Sequence, residues 1–238
     1  MKRLDSRRPD QMRRVEVETD FVAYAEGSVL ISAGKTRVLC NVSVEDGQPS
    51  WKEKKGLPGG WITAEYALLP RSTHTRVERE TDGWSGRTQE IRRMIGRSLR
   101  AGFDLEAMGP RTCIVDCDVI QADGGTRTIS VTGGYLALAL AFQQLVRAGE
   151  LTPDVFLPRV AAVSVGMLEG EPVLDLCYQE DAAADVDLNL VMNRAGKIIE
   201  IQGTAEGSPC SRKELSQMLD LAAGGIGQLF QVQRQALE

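Results

Sequence analysis

The longest uncharged stretch of the chain covers residues 128–146, and it restricts the fold more than any other feature. Its 19 residues are almost enough to cross a bilayer as a helix. The stretch nevertheless contains Thr, Ser and Gln side chains and the pair Gly133-Gly134, which suit close packing inside a protein. We therefore predict a helix in the core of a globular domain rather than a membrane span, and no membrane partner.

The segments before and after this helix carry mostly strand patterns. Runs of Val, Ile and Leu separated by turn residues predict strands or hairpins at residues 28–44, 61–69, 111–121, 160–178 and 188–202. Helical spacing of apolar residues predicts helices at 88–102 and 212–236, and three glycines are expected to weaken or kink the second one. Both halves run from strands through a glycine-bearing loop into a helix, without a linker. We therefore predict one α+β domain over residues 1–238 with a faint duplicated βα unit.

Composition narrows the classes of function. The net charge is −5 and aromatic residues make up only 5%, so neither an overall basic nucleic-acid binder nor a base-stacking surface rich in Phe and Tyr fits. A nucleic-acid role must therefore rest on a local patch. No apolar stretch follows the basic N-terminus, so no secretory signal is expected. The odd number of cysteines, 5, then predicts reduced thiols in a cytoplasmic protein.

Charge is unevenly distributed along the chain. Residues 71–100 contain eight arginines and four acidic residues, and the guanidinium group suits phosphate oxygens. Residues 175–189 contain four Asp and one Glu and no basic residue. In that stretch Asp181 and the alternating Asp185, Asp187 and Asn189 suit Mg²⁺, which takes one or two carboxylates plus water and phosphate oxygens. The alternative is two ordinary solvated faces.

The loop at residues 123–128, with the sequence DGGTRT, is the clearest candidate for a binding site. Gly124 and Gly125 let the backbone approach a ligand, while Thr126 and Arg127 supply donors. The helix that follows directs unpaired N–H groups and a positive dipole end at the same place, which favours an anion. Arg87, at the start of the preceding helix, repeats this arrangement between a glycine and a threonine. The alternative is a pair of ordinary helix starts.

Other patterns exclude competing chemistry. Gly34-Lys35-Thr36 is not a nucleotide-binding phosphate loop, because Val29 stands where the first glycine is required. Cys113 and Cys117 lie about 13 Å apart along a predicted strand, too far apart to share a metal. His74 is the only histidine and lies in a charged loop, so nucleophilic catalysis by the protein is not expected.

Several motifs in order and spacing resemble the ribonuclease PH family of phosphate-dependent exoribonucleases. They are AEGSVL at 25–30, ITAEY at 62–66, LPRSTHTR at 69–76, GRT at 86–88, IQADGGTRT at 120–128, EDAA at 180–183 with DLN at 187–189, and QGTAEG at 202–207. The resemblance covers nearly the whole chain. It implies a duplicated βα fold of the type also seen in domain 2 of ribosomal protein S5.

The resemblance also implies an activity and a set of site residues. Members of the family remove nucleotides from the 3′ ends of RNA, with tRNA precursors as the usual substrate, using inorganic phosphate and releasing nucleoside diphosphates. Six copies form a ring, built as a trimer of dimers. The family's phosphate site corresponds to Arg87, Gly125, Thr126 and Arg127, its catalytic, Mg²⁺-linked carboxylates to Asp181 and Asp187, and its RNA-guiding arginines to Arg71, Arg76 and Arg79. The rival interpretations are a non-catalytic RNA-binding ring subunit and an enzyme for a small phosphorylated metabolite.

Overall fold

The structure, a computed structural model, describes residues 3–238. Within that range two sheets and five α-helices form a mixed α+β fold, as predicted. The strands are β1 Val15–Thr19, β2 Gly27–Ala33, β3 Thr36–Asp46, β4 Trp61–Leu68, β5 Arg111–Gln121, β6 Val160–Leu168, β7 Glu171–Leu174, β8 Val186–Asn193 and β9 Ile198–Ala205. The helices are α1 Ser50–Glu53, α2 Gly86–Arg100, α3 Thr126–Arg147, α4 Tyr178–Asp181 and α5 Arg212–Leu237.

The first sheet has the strand order β1-β2-β3-β5-β4. Strands β2 and β3 form the predicted hairpin, and its turn contains Gly34 at φ +56°, a conformation that glycine adopts without steric cost. Strands β4 and β5 are parallel neighbours, since helix α2 crosses back between them. Alternate residues of β3 and β5 are buried, and the residues between them are more exposed. The sheet therefore presents one apolar face to helices α2 and α3.

Helix α3 contains the long uncharged stretch and lies between the two sheets. It packs against β2 and β3 of the first sheet and β6 of the second. The approach is close, because a Cβ atom on Gly27 would lie 2.0 Å from the carbonyl oxygen of Ala137. By length and hydropathy α3 could cross a membrane, but 72% of its apolar window is buried inside the protein. The predicted core helix is confirmed.

The second sheet has the order β7-β6-β8-β9 and lies between α3 and α5. Strand β6 is buried along its whole length, since Val160 and Ala162 join the core that contains α3 while Ala161 and Val163 join the core that contains α5. The two halves thus share the plan of a sheet followed by a long helix. They differ in how their strands are connected. Within residues 3–238, parallel neighbouring strands occur in the first sheet alone.

Helix α5 runs without interruption through its three glycines, so the predicted weakening or kink does not break it. Met218, Ala222 and Ile226 bury one stripe of the helix against the second sheet, and this packing outweighs the low helix propensity of glycine. Gly225 has a local role: a Cβ atom there would lie 2.9 Å from Leu174 Cδ1.

Two predicted element boundaries were wrong, both at a helix start where a side chain hydrogen-bonds to a backbone amide. The strand predicted to reach residue 178 ends at Leu174 and is followed by the single turn α4, whose N-terminus is capped by Glu180 accepting from the Cys177 amide. Helix α2 begins at Gly86 rather than at residue 88, because the Ser85 hydroxyl accepts a hydrogen bond from the Thr88 amide. All five cysteines are free thiols, and four are buried.

Candidate functional site

A cleft of about 850 Å³ lies where the start of α2, the start of α3 and the second sheet meet. Six of the predicted site residues line it: Arg87, Gly125, Thr126, Arg127, Asp181 and Asp187. They come from helices in the first half of the chain and from α4 and β8 in the second half. The site is therefore assembled only when the two halves pack together.

The loop before α3 presents unpaired backbone donors to the cleft. Gly125 is the N-cap residue at φ +68° and provides no side-chain cap. The first helical hydrogen bond runs from the Ile129 amide to the Gly125 carbonyl, so three amides before Ile129 have no intrahelical acceptor. Gly124 has φ +78°, and a Cβ atom there would lie 2.5 Å from the carbonyl oxygen of Leu176. Both positions therefore need glycine, and the helix end favours an anion.

This loop is held from behind by two side chains of the first sheet region. Thr36 Oγ1 donates to the carbonyl of Gly124 at 2.7 Å and accepts from the amide of Asp123 at 3.0 Å. The Arg13 guanidinium donates to the carbonyl of Asp123 at 2.6 Å. These bonds fix the backbone of Asp123 and Gly124, immediately before the unpaired amides at the start of α3.

Tyr66, at the end of β4, orients Thr126. The Tyr66 hydroxyl donates to Thr126 Oγ1 at 2.9 Å, which leaves the Thr126 hydroxyl proton available for another acceptor. Tyr66 is only 5% exposed, and burial raises its pKa, so the phenol remains a donor at neutral pH.

The two arginines of the cleft are held differently. Arg127 Nη1 donates to Glu90 Oε1 at 3.1 Å and to Gln202 Oε1 at 3.2 Å. Arg87 is exposed and has no ion pair within the described part of the chain. One guanidinium is thus restrained by the walls of the cleft, and the other is available to move onto a ligand.

Asp181 and Asp187 form the acidic side of the same cleft. Partial desolvation in the cleft is the main reason that the pKa of each carboxyl is raised, although Asp181 as a whole residue remains exposed. The charge of Asp187 raises the pKa of Asp181 further, and the charge of Glu206 does the same for Asp187. Arg127 acts in the opposite direction on both. The predicted neighbour Asp185 lies just before β8, outside the lining of this cleft.

These carboxylates fit Mg²⁺ by the chemistry of their donors. Within residues 3–238 no three His, Cys, Asp or Glu side chains form a protein-only metal cage. Mg²⁺ does not require one, since it keeps several waters and uses one or two carboxylates plus phosphate oxygens. Asp181 and Asp187 repel each other in the cleft, and a divalent cation between them would relieve that repulsion.

Behind the cleft, the segment that leads to Asp181 is fixed by buried ion pairs. Glu180 accepts from Arg3 Nε at 2.8 Å and from Arg3 Nη2 at 2.7 Å. Asp175 accepts from Arg13 Nη2 at 2.7 Å and also bonds Arg7. Because Arg13 also bonds the loop before α3, one guanidinium connects the anion side of the cleft to its acidic side.

The three arginines predicted to guide RNA lie outside this cleft. Arg71, Arg76 and Arg79 are all exposed on the irregular segment between β4 and α2. Arg79 lines a neighbouring cavity of about 610 Å³ beneath that segment. Within one chain the structure therefore does not bring them to the loop before α3.

Several lining residues were not assigned a role from the sequence. Tyr66, Gln202 and Glu206 lie inside motifs quoted above, so their position in a motif was the available signal. Ser164 also lines the cleft, from β6, as does Asn189 of β8, which the sequence pattern had grouped with Asp185 and Asp187. Ser164 carried no signal, because a serine in an apolar strand is common.

Comparisons with known proteins identify the family and the fold. Profiles described as "3' exoribonuclease family, domain 1" and "domain 2" match residues 11–142 and 159–225. Among solved structures, rice (Oryza sativa) Rrp46 is similar at TM-score 0.80 and 20% identity, over 99% of each chain. The Archaeoglobus fulgidus exosome with RNA bound to the active site gives TM-score 0.80 at 20% identity, over 97% of this chain and 92% of that one. An archaeal exosome core gives 0.77 at 20% identity, over 100% and 92%. The chain therefore belongs to the ribonuclease PH, or 3′ exoribonuclease, family.

Proposed function

We propose that this chain is a phosphate-dependent 3′-to-5′ exoribonuclease that releases nucleoside diphosphates one at a time. The observation that carries the proposal is the cleft itself, where Arg87, Arg127 and the α3 amides face Asp181 and Asp187. Attack of one phosphate on another needs cations around the nucleophile and a means to withdraw charge from the phosphorus that is attacked. The same cleft carries Arg87 and Arg127 for the first role and Asp181 and Asp187, as ligands of a cation, for the second.

Inorganic phosphate is the nucleophile in this proposal. Arg87, Arg127 and the unpaired amides of α3 hold it, and Thr126 donates its hydroxyl. A phosphate oxygen attacks the last phosphodiester in line; the new P–O bond forms as the bond to O3′ of the shortened RNA breaks. Asp187, with its raised pKa, relays the proton of the phosphate to O3′.

Asp181 and Asp187 are the proposed Mg²⁺ ligands. Bound Mg²⁺ supplies Lewis-acid withdrawal of charge from the scissile phosphoryl group. The protein's own contribution is to hold both carboxylates in the cleft, and the buried pairs of Glu180 and Asp175 fix the segment that carries Asp181 from behind.

The finer assignments follow the family. We propose that the substrates are RNA 3′ ends, with tRNA precursors first and rRNA precursors also trimmed, in the cytoplasm. Arg71, Arg76 and Arg79 would contact the RNA outside the cleft, and six copies would form a ring built as a trimer of dimers. The exposure of the three arginines and the similarity to exosome cores, one of them with RNA bound, support this assignment.

The test uses a short 3′-tailed RNA with Mg²⁺, with and without phosphate, and identifies the released products. Nucleoside diphosphates that form only with phosphate are expected. Arg87→Ala should lose ~10²–10³ in rate, by analogy with removal of an oxyanion donor. Arg93→Ala is the matched control, because Arg93 is exposed on the same helix and lies outside the cleft.

Other products would contradict the proposal in different ways. Nucleoside monophosphates without phosphate would mean hydrolysis. RNA that is retained but not shortened would favour a non-catalytic ring subunit. Activity that resists high salt and needs no RNA would favour a metabolite enzyme, since binding to RNA phosphates weakens steeply with salt.

A further inference from the structure

Ser164 lies in the wall of the cleft on β6, directly behind the loop before α3. Its side chain is 6% exposed, and its hydroxyl oxygen has no hydrogen-bond partner within residues 3–238. A buried hydroxyl without a partner costs folding free energy and is rare in native proteins. Such a group therefore requires an explanation.

The Ser164 hydroxyl lies close to Gly125. An atom placed at the Cβ position of Gly125 would lie 3.7 Å from Ser164 Oγ and 3.5 Å from Thr128 Oγ1. The Thr128 hydroxyl already donates to the carbonyl of Gly125 at 3.0 Å. Ser164 is thus the hydroxyl beside this helix start that has no acceptor in the protein.

Among the side chains of residues 3–238, the buried atoms Ser72 Oγ and Gln233 Oε1 also lack partners. Neither residue lines the cleft, whereas Ser164 does. Asn189, directly opposite Ser164 across the β6–β8 ladder, is 8% exposed and lines the same cleft. The unpaired Ser164 hydroxyl therefore lies in a polar part of the cleft wall, beside Asn189.

The surroundings indicate the charge of the group that this hydroxyl would contact. The unpaired amides of α3 and the side chains of Arg127 and Arg87 line the same cleft as Ser164. An anionic oxygen bound at the start of α3 would accept from the amides and from the nearby Ser164 hydroxyl together.

We infer that Ser164 is a further phosphate-binding residue, whose Oγ donates a hydrogen bond to an oxygen of inorganic phosphate in the cleft. The inference rests on the proposed function and identifies the residue that reaches the inner side of the bound phosphate. Gly125 is required between them, since a side chain there would separate the hydroxyl from the ligand.

The test is Ser164→Ala, measured with inorganic phosphate as the probe. Phosphate should raise the melting temperature of the wild type, and the variant should need about tenfold more phosphate for the same rise. The KM for phosphate should rise by about the same factor, with the KM for RNA unchanged. Without phosphate, the variant should melt at the same temperature as the wild type or higher, since no protein hydrogen bond is lost.

The control is Ser98→Ala, a buried serine of α2 whose hydroxyl donates to the carbonyl of Met94 at 2.8 Å. It should lower the melting temperature and leave the response to phosphate unchanged. An unchanged phosphate response in Ser164→Ala, or a lower melting temperature without phosphate, would overturn the inference. If the wild type makes no nucleoside diphosphates, the proposed function fails. The rise in melting temperature with phosphate still tests, independently of activity, whether Ser164 binds phosphate.

Discussion

Two sets of carboxylates lie within a few residues of each other and differ in how fully they are paired. Glu180 and Asp175 are buried against Arg3, Arg7 and Arg13, and Arg3 and Arg7 lower the pKa of Glu180 despite its burial. Asp181 and Asp187 face the cleft and have raised pKa values. The first pair is neutralised by buried arginines, and the second pair has no ion-pair partner among residues 3–238.

The same difference separates the arginines. Arg3 and Arg13 are fixed by several bonds each, while Arg87 is exposed without an ion pair among the residues that the structure describes. Charges that are paired inside the protein provide rigidity, and charges that are left unpaired provide binding. The buried ion pairs behind the cleft fix the segment that carries Asp181 and the loop before α3. They do so without bonding to the charged side chains of Arg87, Asp181 and Asp187.

The largest expected effect comes from breaking the paired set. Glu180→Ala leaves the Arg3 guanidinium buried without its carboxylate, so the free energy of unfolding should fall by ~3–5 kcal/mol. Urea denaturation measures it. The control is Asp10→Ala, which removes the exposed pair with Arg8 and should cost ~0–1 kcal/mol. Equal losses of unfolding free energy in Glu180→Ala and Asp10→Ala would mean that the buried pair stabilises the fold no more than the exposed pair.

The unpaired set should behave in the opposite way. Asp181→Asn and Asp187→Asn should each lower turnover ~10²–10³-fold. Both should raise the melting temperature without ligands, because a carboxyl whose folded pKa is raised destabilises the fold when it ionises. Scanning calorimetry and single-turnover assays measure the two effects. Asp185→Asn, outside the cleft, is the control and should retain turnover; a stability loss in the cleft variants would contradict the comparison.

The pH dependence sharpens the comparison further. Activity should fall on the acid side as Asp187 takes up a proton, at a higher pH than for an ordinary carboxyl, since its pKa is raised. Glu206→Gln removes the negative charge that contributes to this shift, so the acid limb of kcat/KM should move to lower pH. Glu169→Gln, exposed in the turn between β6 and β7, should leave the limb in place. If the acid limb stays in place in Glu206→Gln, protonation of Asp187 is not the cause of the loss of activity at low pH.

The smallest effect is expected at Tyr66. Tyr66→Phe removes the hydrogen bond to Thr126, at a cost of ~1 kcal/mol in unfolding free energy. The KM for phosphate should rise by a few-fold, because Thr126 loses the contact that orients its hydroxyl. Tyr24→Phe, at a residue that is 97% exposed, should change neither quantity. A phosphate KM that stays constant in Tyr66→Phe would mean that Thr126 is oriented without it.

Much of the fold could be predicted from local patterns. The uncharged stretch inside α3 and the hairpin around Gly34 follow from hydropathy period and turn chemistry, which act over a few residues. The errors were local as well: the capping group of Glu180 started a helix where a strand was expected, and tertiary packing kept α5 continuous through Gly225. In both cases a specific contact outweighed an average propensity.

The sequence by itself determined which residues carry the charge and the glycines of the site: Arg87, Gly125, Thr126, Arg127, Asp181 and Asp187 all line one cleft. Only the tertiary structure decided which groups are left unpaired there. The bonds of Arg13 to both sides of the cleft, the vacant donor of Ser164 and the exclusion of Arg71 and Arg76 depend on contacts between distant segments. Whether a polar group has a partner is a property of packed surroundings, and residue order along the chain does not specify it.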